Sequence, residues 1–213
     1  MGGMKSTPDD KVQLPRNRPR QPRGHFTVQA IYDGFLVLWQ REGSSAVTTR
    51  AIADITGYSV GAIYEYFPNS QAILSGYVRY LMDDLIQRIL ADSQETLSLP
   101  WQERLRQLLM LTLGLDADAK YFDRDMMLEE AVIASPRHHE QAFQHLLGAW
   151  KTHIGTWQKL PWQPADSTVE SLFVAIWGAR RYMLLAGQEK PDILAKVDDL
   201  QRMAEALLGQ PPQ

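Results

Sequence analysis

The stretch from Thr48 to Phe67 constrains the fold of this chain more than any other. Thr48 is a favourable N-cap for a short helix ending near Thr56, Gly57 suits the left-handed position of a tight turn, and Ser59 can cap a second short helix running to about Phe67. Two short helices joined by a three-residue turn that contains glycine are the signature of a helix-turn-helix. Ile52, Ala53, Ile63 and Phe67 are the apolar residues available to pack the pair together, and the small Ala53 permits a close crossing. A further helix precedes them. Val28, Ile31, Phe35 and Leu38 recur at 3-4-3 spacing over Thr27 to about Arg41, and Gly43 suits its end.

Helical periodicity continues through the rest of the chain. Pro68-Asn69-Ser70 leads into a long helix from about Gln71 to Ser93, with Leu74, Val78, Leu81, Leu85 and Ile89 along one face. Helices are then expected over Pro100 to about Leu115, about Ala119 to Ala134, and Pro136 to about Lys159. Another, capped by Asp166 or Ser167, runs to about Ala186, where Gly187 stops it. The last opens at Pro191, and its Ile193, Val197, Leu200, Ala204 and Leu207 form a narrow coiled-coil-like seam. No segment reads as a strand and no repeat is evident. The expectation is an all-α chain of about nine helices, with a helix-turn-helix domain over 25–70 and a C-terminal helical bundle over 71–213. Residues 1–24, with Pro8, Pro15, Pro19 and Pro22 among polar and basic side chains, read as a flexible basic arm.

Composition removes several classes of function. With 213 residues, 45% of them hydrophobic, the chain can bury a substantial core. The absence of cysteine excludes disulfides, iron–sulfur clusters, cysteine-based zinc sites and cysteine nucleophiles. No apolar run is long enough to span a membrane, and Met1 to Arg23 lack the apolar core of a secretory signal, so a cytoplasmic protein is expected. The net charge of −3 is unevenly spread: residues 1–70 hold eight basic and six acidic side chains, and the remainder fourteen and nineteen. Contact with a polyanion therefore belongs to the N-terminal part.

A small helix-turn-helix at the basic end argues for duplex DNA, whose major groove admits the second helix while backbone contacts fix its register. Residues 27–80 resemble the DNA-binding domain of the tetracycline-repressor (TetR) family of bacterial transcriptional regulators. The resemblance is carried by Phe35, Thr48-Thr49-Arg50-x-Ile52-Ala53, Gly57, Ser59-x-Gly61-x-Ile63-Tyr64-x-Tyr66-Phe67 and Ala72-Ile73-Leu74. It implies that Thr48 and Thr49 meet phosphate at a helix N-terminus and that Arg50 reads a base, guanine O6 and N7 being its natural partners. It also places Ser59, Val60, Gly61 and Tyr64 toward the groove. Tyr64 and Tyr66 would reach phosphate or sugar through their hydroxyls, and Ser70 stands at the start of the fourth helix. The family often carries Lys at the positions of Val60 and Ser70, and Glu65 is an acid on a helix meant to approach DNA. Fewer cations imply weaker binding with a flatter salt dependence, unless Arg16, Arg18, Arg20 and Arg23 compensate.

For the C-terminal helices the resemblance implies a ligand pocket and a homodimer interface. Residues 169–187 are apolar on nearly every face and 193–207 carry the seam, so two copies of the segments 166–187 and 191–208 would form a four-helix bundle. A two-fold dimer in turn implies a palindromic operator. Candidate lining residues for a small-molecule effector are Met110, Met126, Met127, Trp150, Trp157 and Trp177. Arg180 either anchors an anionic effector or pairs with acids such as Glu129 or Glu130, or with the dimer mate. His138, His145 and His153 are spaced about two helical turns apart, too far to share one ion, so no metal site and no cofactor is expected. Asp83-Asp84, Glu129-Glu130 and Asp198-Asp199 are adjacent pairs that diverge by about 100° on a helix, and no nucleotide or nucleophile motif occurs, so no enzyme is expected. The expected function is a TetR-like DNA-binding regulator, a repressor released from its operator by an effector. The alternative is a helical small-molecule-binding protein or enzyme with a vestigial helix-turn-helix.

Overall fold

The structure is a computed structural model that describes residues 22–209. The arm expected over 1–24 lies outside the described residues as far as position 21. Among the described residues all regular structure is helical: α1 (Pro22–Glu42), α2 (Thr49–Thr56), α3 (Val60–Tyr66), α4 (Ser70–Glu95), α5 (Trp101–Leu113), α6 (Arg124–Ile133), α7 (Pro136–Gly155), α8 (Asp166–Leu185), α9 (Lys190–Leu194) and α10 (Val197–Gly209), with one 3-10 turn at Ser44–Ala46. The first eight correspond to the first eight helices expected. The ninth is divided into α9 and α10. Between them Lys196 donates its N–H to Ile193 O, three residues back, tightening the chain before α10 restarts with Asp198 and Asp199 in its first turn.

Several boundaries differ from the sequence reading for local reasons. α1 starts at Pro22 rather than Thr27, a proline being tolerated where a helix needs no N–H. α6 starts at Arg124 rather than near Ala119 because Asp123 caps it, accepting from Met126 N at 2.8 Å. α7 ends at Gly155, four residues before the expected Lys159, which itself adopts φ 59°. Asp166 is the first residue of α8, not its cap; Ala165 occupies the cap, and Lys151 pairs with Asp166 at 2.7 Å.

The chain forms two compact units. Among the described residues, one takes in 22–80 together with Leu128–Pro136, and the other takes in Leu81–Met127 and 137–209. The core of the first is aromatic. Tyr32 stacks on Tyr80 at 5.5 Å and meets Phe67 at 5.7 Å, while Phe35 meets Tyr77 at 5.4 Å. α1 crosses α2 at Gly34, where a Cβ would stand 2.5 Å from Thr56 Cγ2. That approach favours glycine.

In the second unit α5 packs against both α8 and α10, over a core that includes Leu105, Leu108, Leu109, Trp150, Phe173, Val197 and Leu208. The seam expected to seek a partner helix is covered largely by this chain: Ile193, Val197 and Ala204 are buried in that core, and Leu200 packs partly against it. Met203 and Leu207 face outward instead, as do Val174 and Tyr182 of α8. A polar knot ties the unit together. Buried Arg104 donates to Thr96 Oγ1 (3.0 Å), Ser93 O (2.8 Å), Thr156 O (3.0 Å) and Thr156 Oγ1 (2.7 Å). Beside it Asp92 accepts from His153 Nε2 at 2.7 Å, and Trp157 Nε1 donates to His153 Nδ1 at 2.9 Å. Both ring nitrogens of His153 are thus engaged within the unit. Among the described residues no group of three or more His, Cys, Asp or Glu is placed to hold a metal ion, and no helix is long and apolar enough to cross a membrane.

Candidate nucleic-acid interface

The helix-turn-helix is assembled by caps whose signals are local. Thr48 accepts from Ala51 N at 3.0 Å and starts α2. Gly57, at φ 73°, ends it in the left-handed conformation, with its N–H on Ala53 O at 2.9 Å. Ser59 accepts from Ala62 N at 3.1 Å and starts α3. Ile52 and Ala53 of α2 and Ile63 of α3 are buried, with Phe67 just beyond, which fixes the rotation of both helices about their axes. Asn69, whose capping role the sequence reading missed, accepts from Ala72 N at 2.8 Å and sets Ser70 as the first residue of α4. Its position between Pro68 and the apolar Ala72-Ile73-Leu74 run is the signal that identifies it.

With the apolar faces inward, the polar faces of α2 and α3 are brought together. Thr49 Oγ1 donates to Tyr64 OH at 3.2 Å, so the start of α2 and the exposed face of α3 form one surface. Arg50 is exposed beside Thr49, and Tyr64 is 42% exposed, leaving much of its ring available to a partner. Thr48 and Ser59 are exposed but use their side-chain oxygens as caps, and Val60 is half-buried four residues before Tyr64. Tyr66 and Ser70 are half-buried.

Gly61 is the most informative member. Its backbone is helical, and a Cβ there would meet nothing closer than Ser59 Oγ at 3.8 Å. The fold therefore places no demand for glycine at this position, although glycine weakens a helix by about 1 kcal/mol relative to alanine. A bare stretch of backbone on the outward side of α3, bordered by Val60 and Tyr64, permits close approach by a large flat or grooved partner.

The residues expected to line an effector pocket fall into two groups. Trp150, Trp157, Met126 and Met127 are buried. The Trp150 N–H is taken by Thr112 Oγ1 at 3.1 Å, and Trp157 stacks on Trp101 while donating to His153. Met110 and Trp177 are only partly buried against the core, and Trp177 lies beneath the Arg180 guanidinium at 5.0 Å. No ion pair or hydrogen bond joins Arg180 to an acid among the described residues. Phe122, which the sequence reading did not single out, lies against the same guanidinium at 5.6 Å. Only the fold brings it there.

Residues 31–76, which span most of α1 through the start of α4, match the family described as "Bacterial regulatory proteins, tetR family". The chain is 36% identical over 108 residues to the nucleoid occlusion factor SlmA of Sodalis glossinidius, and 32% identical over 108 residues to that of Serratia proteamaculans. Each match covers 49% of this chain and 48% of the relative, so the chain spans about half the length of the curated relatives it matches. A solved structure assigned to the TetR family from Mesorhizobium loti superposes with a TM-score of 0.61 at 13% identity, covering 88% of this chain and 98% of the other. A TetR transcription regulator from Haloarcula marismortui gives 0.58 at 18% identity, covering 86% and 97%. These two likenesses establish a shared fold.

Proposed function

We propose that this chain, whose residues 31–76 match the tetR family of bacterial regulatory proteins, is a DNA-binding transcriptional regulator that works as a homodimer. The observation that carries this reading is the joint surface of α2 and α3. It presents an exposed Arg50, an exposed Tyr64 held by Thr49, and a glycine at position 61 that the fold does not require. In that surface Arg50 reads a base edge through its planar fork, while Thr49, Tyr64 and Ser70 hold the phosphate backbone and fix register. The outward Val174 and Tyr182 of α8, and Met203 and Leu207 of α10, supply the apolar contact for the second copy. Gly178 lies between Val174 and Tyr182 at four-residue spacing, and allows another helix to approach closely. A two-fold pair of reading heads matches a palindromic operator with half-sites about one helical turn apart. An effector held in the second unit releases the operator by favouring the dimer geometry that fits it less well.

Selection of bound duplexes from a random library, followed by a salt titration on the winner, tests the reading. An enriched palindrome bound two chains at a time supports it. Weak binding without enrichment refutes it. The similarity to proteins named nucleoid occlusion factors supports a second reading, in which the DNA-bound protein acts at the nucleoid. Genome-wide occupancy separates the two: a few promoter sites favour regulation, and many sites spread along the chromosome favour the nucleoid role.

A further inference from the structure

We propose that Arg180 anchors a binding site for an organic carboxylate, a small molecule with one anionic head and an apolar or aromatic body. The regulatory meaning of the site rests on the effector-controlled reading above; its chemistry is argued from the second unit alone.

Among the described residues, buried side-chain polar atoms without a hydrogen-bond partner occur on Gln107, Asp116, Trp162, Arg180 and Gln188. Three of these groups are neutral, and the other carboxylate oxygen of Asp116 is engaged by Arg88. Arg180 alone combines a full charge with no hydrogen bond and no ion pair. Arg104 provides the contrast within the same unit. There the chain devotes Ser93, Thr96 and Thr156 to satisfying one buried guanidinium. Arg180 differs in being half-buried: its Nε is enclosed without a partner, and the rest of the guanidinium makes no hydrogen bond or ion pair within the chain.

What surrounds Arg180 holds it without occupying its donors. Its guanidinium carbon lies 5.0 Å from the centre of the Trp177 ring and 5.6 Å from that of Phe122. A Cβ on Gly114, at the end of α5, would stand 3.7 Å from Nη2 and 3.9 Å from Nε. Ring faces attract a cation but accept no hydrogen bond in the plane of its N–H groups. The end of α5 also favours a cation nearby. Yet the Met110 and Leu111 carbonyls there are bonded to the N–H groups of Leu115 and Gly114, and none accepts from Arg180. Desolvation pushes the Arg180 pKa down to about 10, which leaves it charged at neutral pH. The result is a cation fixed in orientation, with a donor fork unoccupied. Parallel N–H groups in that geometry match the two oxygens of a carboxylate. A single guanidinium balances a monoanion, and the Trp177 and Phe122 rings suit an apolar or aromatic body.

The test titrates the full chain with benzoate, phenylacetate, indole-3-acetate and octanoate, each beside its neutral carboxamide, following tryptophan fluorescence and melting temperature. We expect saturable binding of at least one carboxylate, with its carboxamide at least tenfold weaker, and a loss of at least tenfold in Arg180→Met. Absence of binding by all four acids, equal binding of acid and amide, or unchanged acid binding by Arg180→Met would each overturn the proposal. The comparison of acid with amide on the parent protein decides the matter even if the variant does not fold. The duplex selection contains no ligand, so the two readings fail separately. Carboxylate binding without an enriched operator removes the regulator and keeps this site, and the reverse outcome does the opposite.

Discussion

At the scale of single residues, the surface proposed for recognition is separable from the forces that fold it. Ile52, Ala53 and Ile63 are buried and tie α2 and α3 into their unit, whereas Arg50, Gly61 and Tyr64 face outward. Gly61→Ala should therefore raise stability by about 0.5–1 kcal/mol, the ordinary helix preference for alanine, while weakening operator binding. Urea unfolding and a gel-shift titration read the two effects, and a variant that gains stability without losing affinity removes Gly61 from the interface. Tyr64→Phe deletes the hydroxyl that accepts from Thr49 Oγ1 at 3.2 Å. Loss of one such exposed hydrogen bond should leave the melting temperature nearly unchanged. If the hydroxyl also serves a phosphate, operator affinity should fall by roughly tenfold, about 1.4 kcal/mol.

At the scale of elements, the contact most sensitive to change is the crossing of α1 over α2. A methyl group on Gly34 would meet Thr56 Cγ2 at 2.5 Å, and Thr56 cannot simply turn away because its hydroxyl donates to Ile52 O at 2.7 Å. Gly34→Ala should destabilise the protein by a net of about 1–2 kcal/mol, overpacking of roughly 1–3 being partly offset by alanine's helix preference. Thr48→Ala, which removes the cap of α2, should cost about 1 kcal/mol. Chemical denaturation measures both. These two positions also show how far the sequence was legible. Thr48, Gly57 and Ser59 could be read directly because a cap is settled by residues within four positions of itself. Gly34 could not, since its partner is fixed by the crossing of two helices and by no spacing along the chain. Arg104 was missed for a related reason: a charged residue in an amphipathic helix reads as solvent-facing until Thr96 and Thr156 are seen to enclose it. The seam over 193–207 was legible only as apolar, because periodicity shows that a face is buried without showing which chain buries it: Ile193, Val197 and Ala204 lie in this chain's own core, while Leu207 faces outward.

At the scale of the whole molecule, association through the outward apolar residues is the property most open to test. Tyr182 and Met203 are 73% and 66% exposed. Replacing both with glutamate should shift the protein toward monomer in sedimentation experiments and reduce operator affinity at least tenfold, with little change in the helical signal by circular dichroism, since neither side chain supports the core. The division into units carries a further consequence. The polypeptide passes between them at Tyr80/Leu81, Met127/Leu128 and Pro136/Arg137, so the reading head is completed by a segment that returns from well downstream. A chimera grafting only residues 22–80 onto another protein would leave Leu128–Pro136 of the same unit behind. For anyone assembling biosensors from interchangeable parts, the portable module here is two stretches of chain, and the junctions must be chosen at three points, not one.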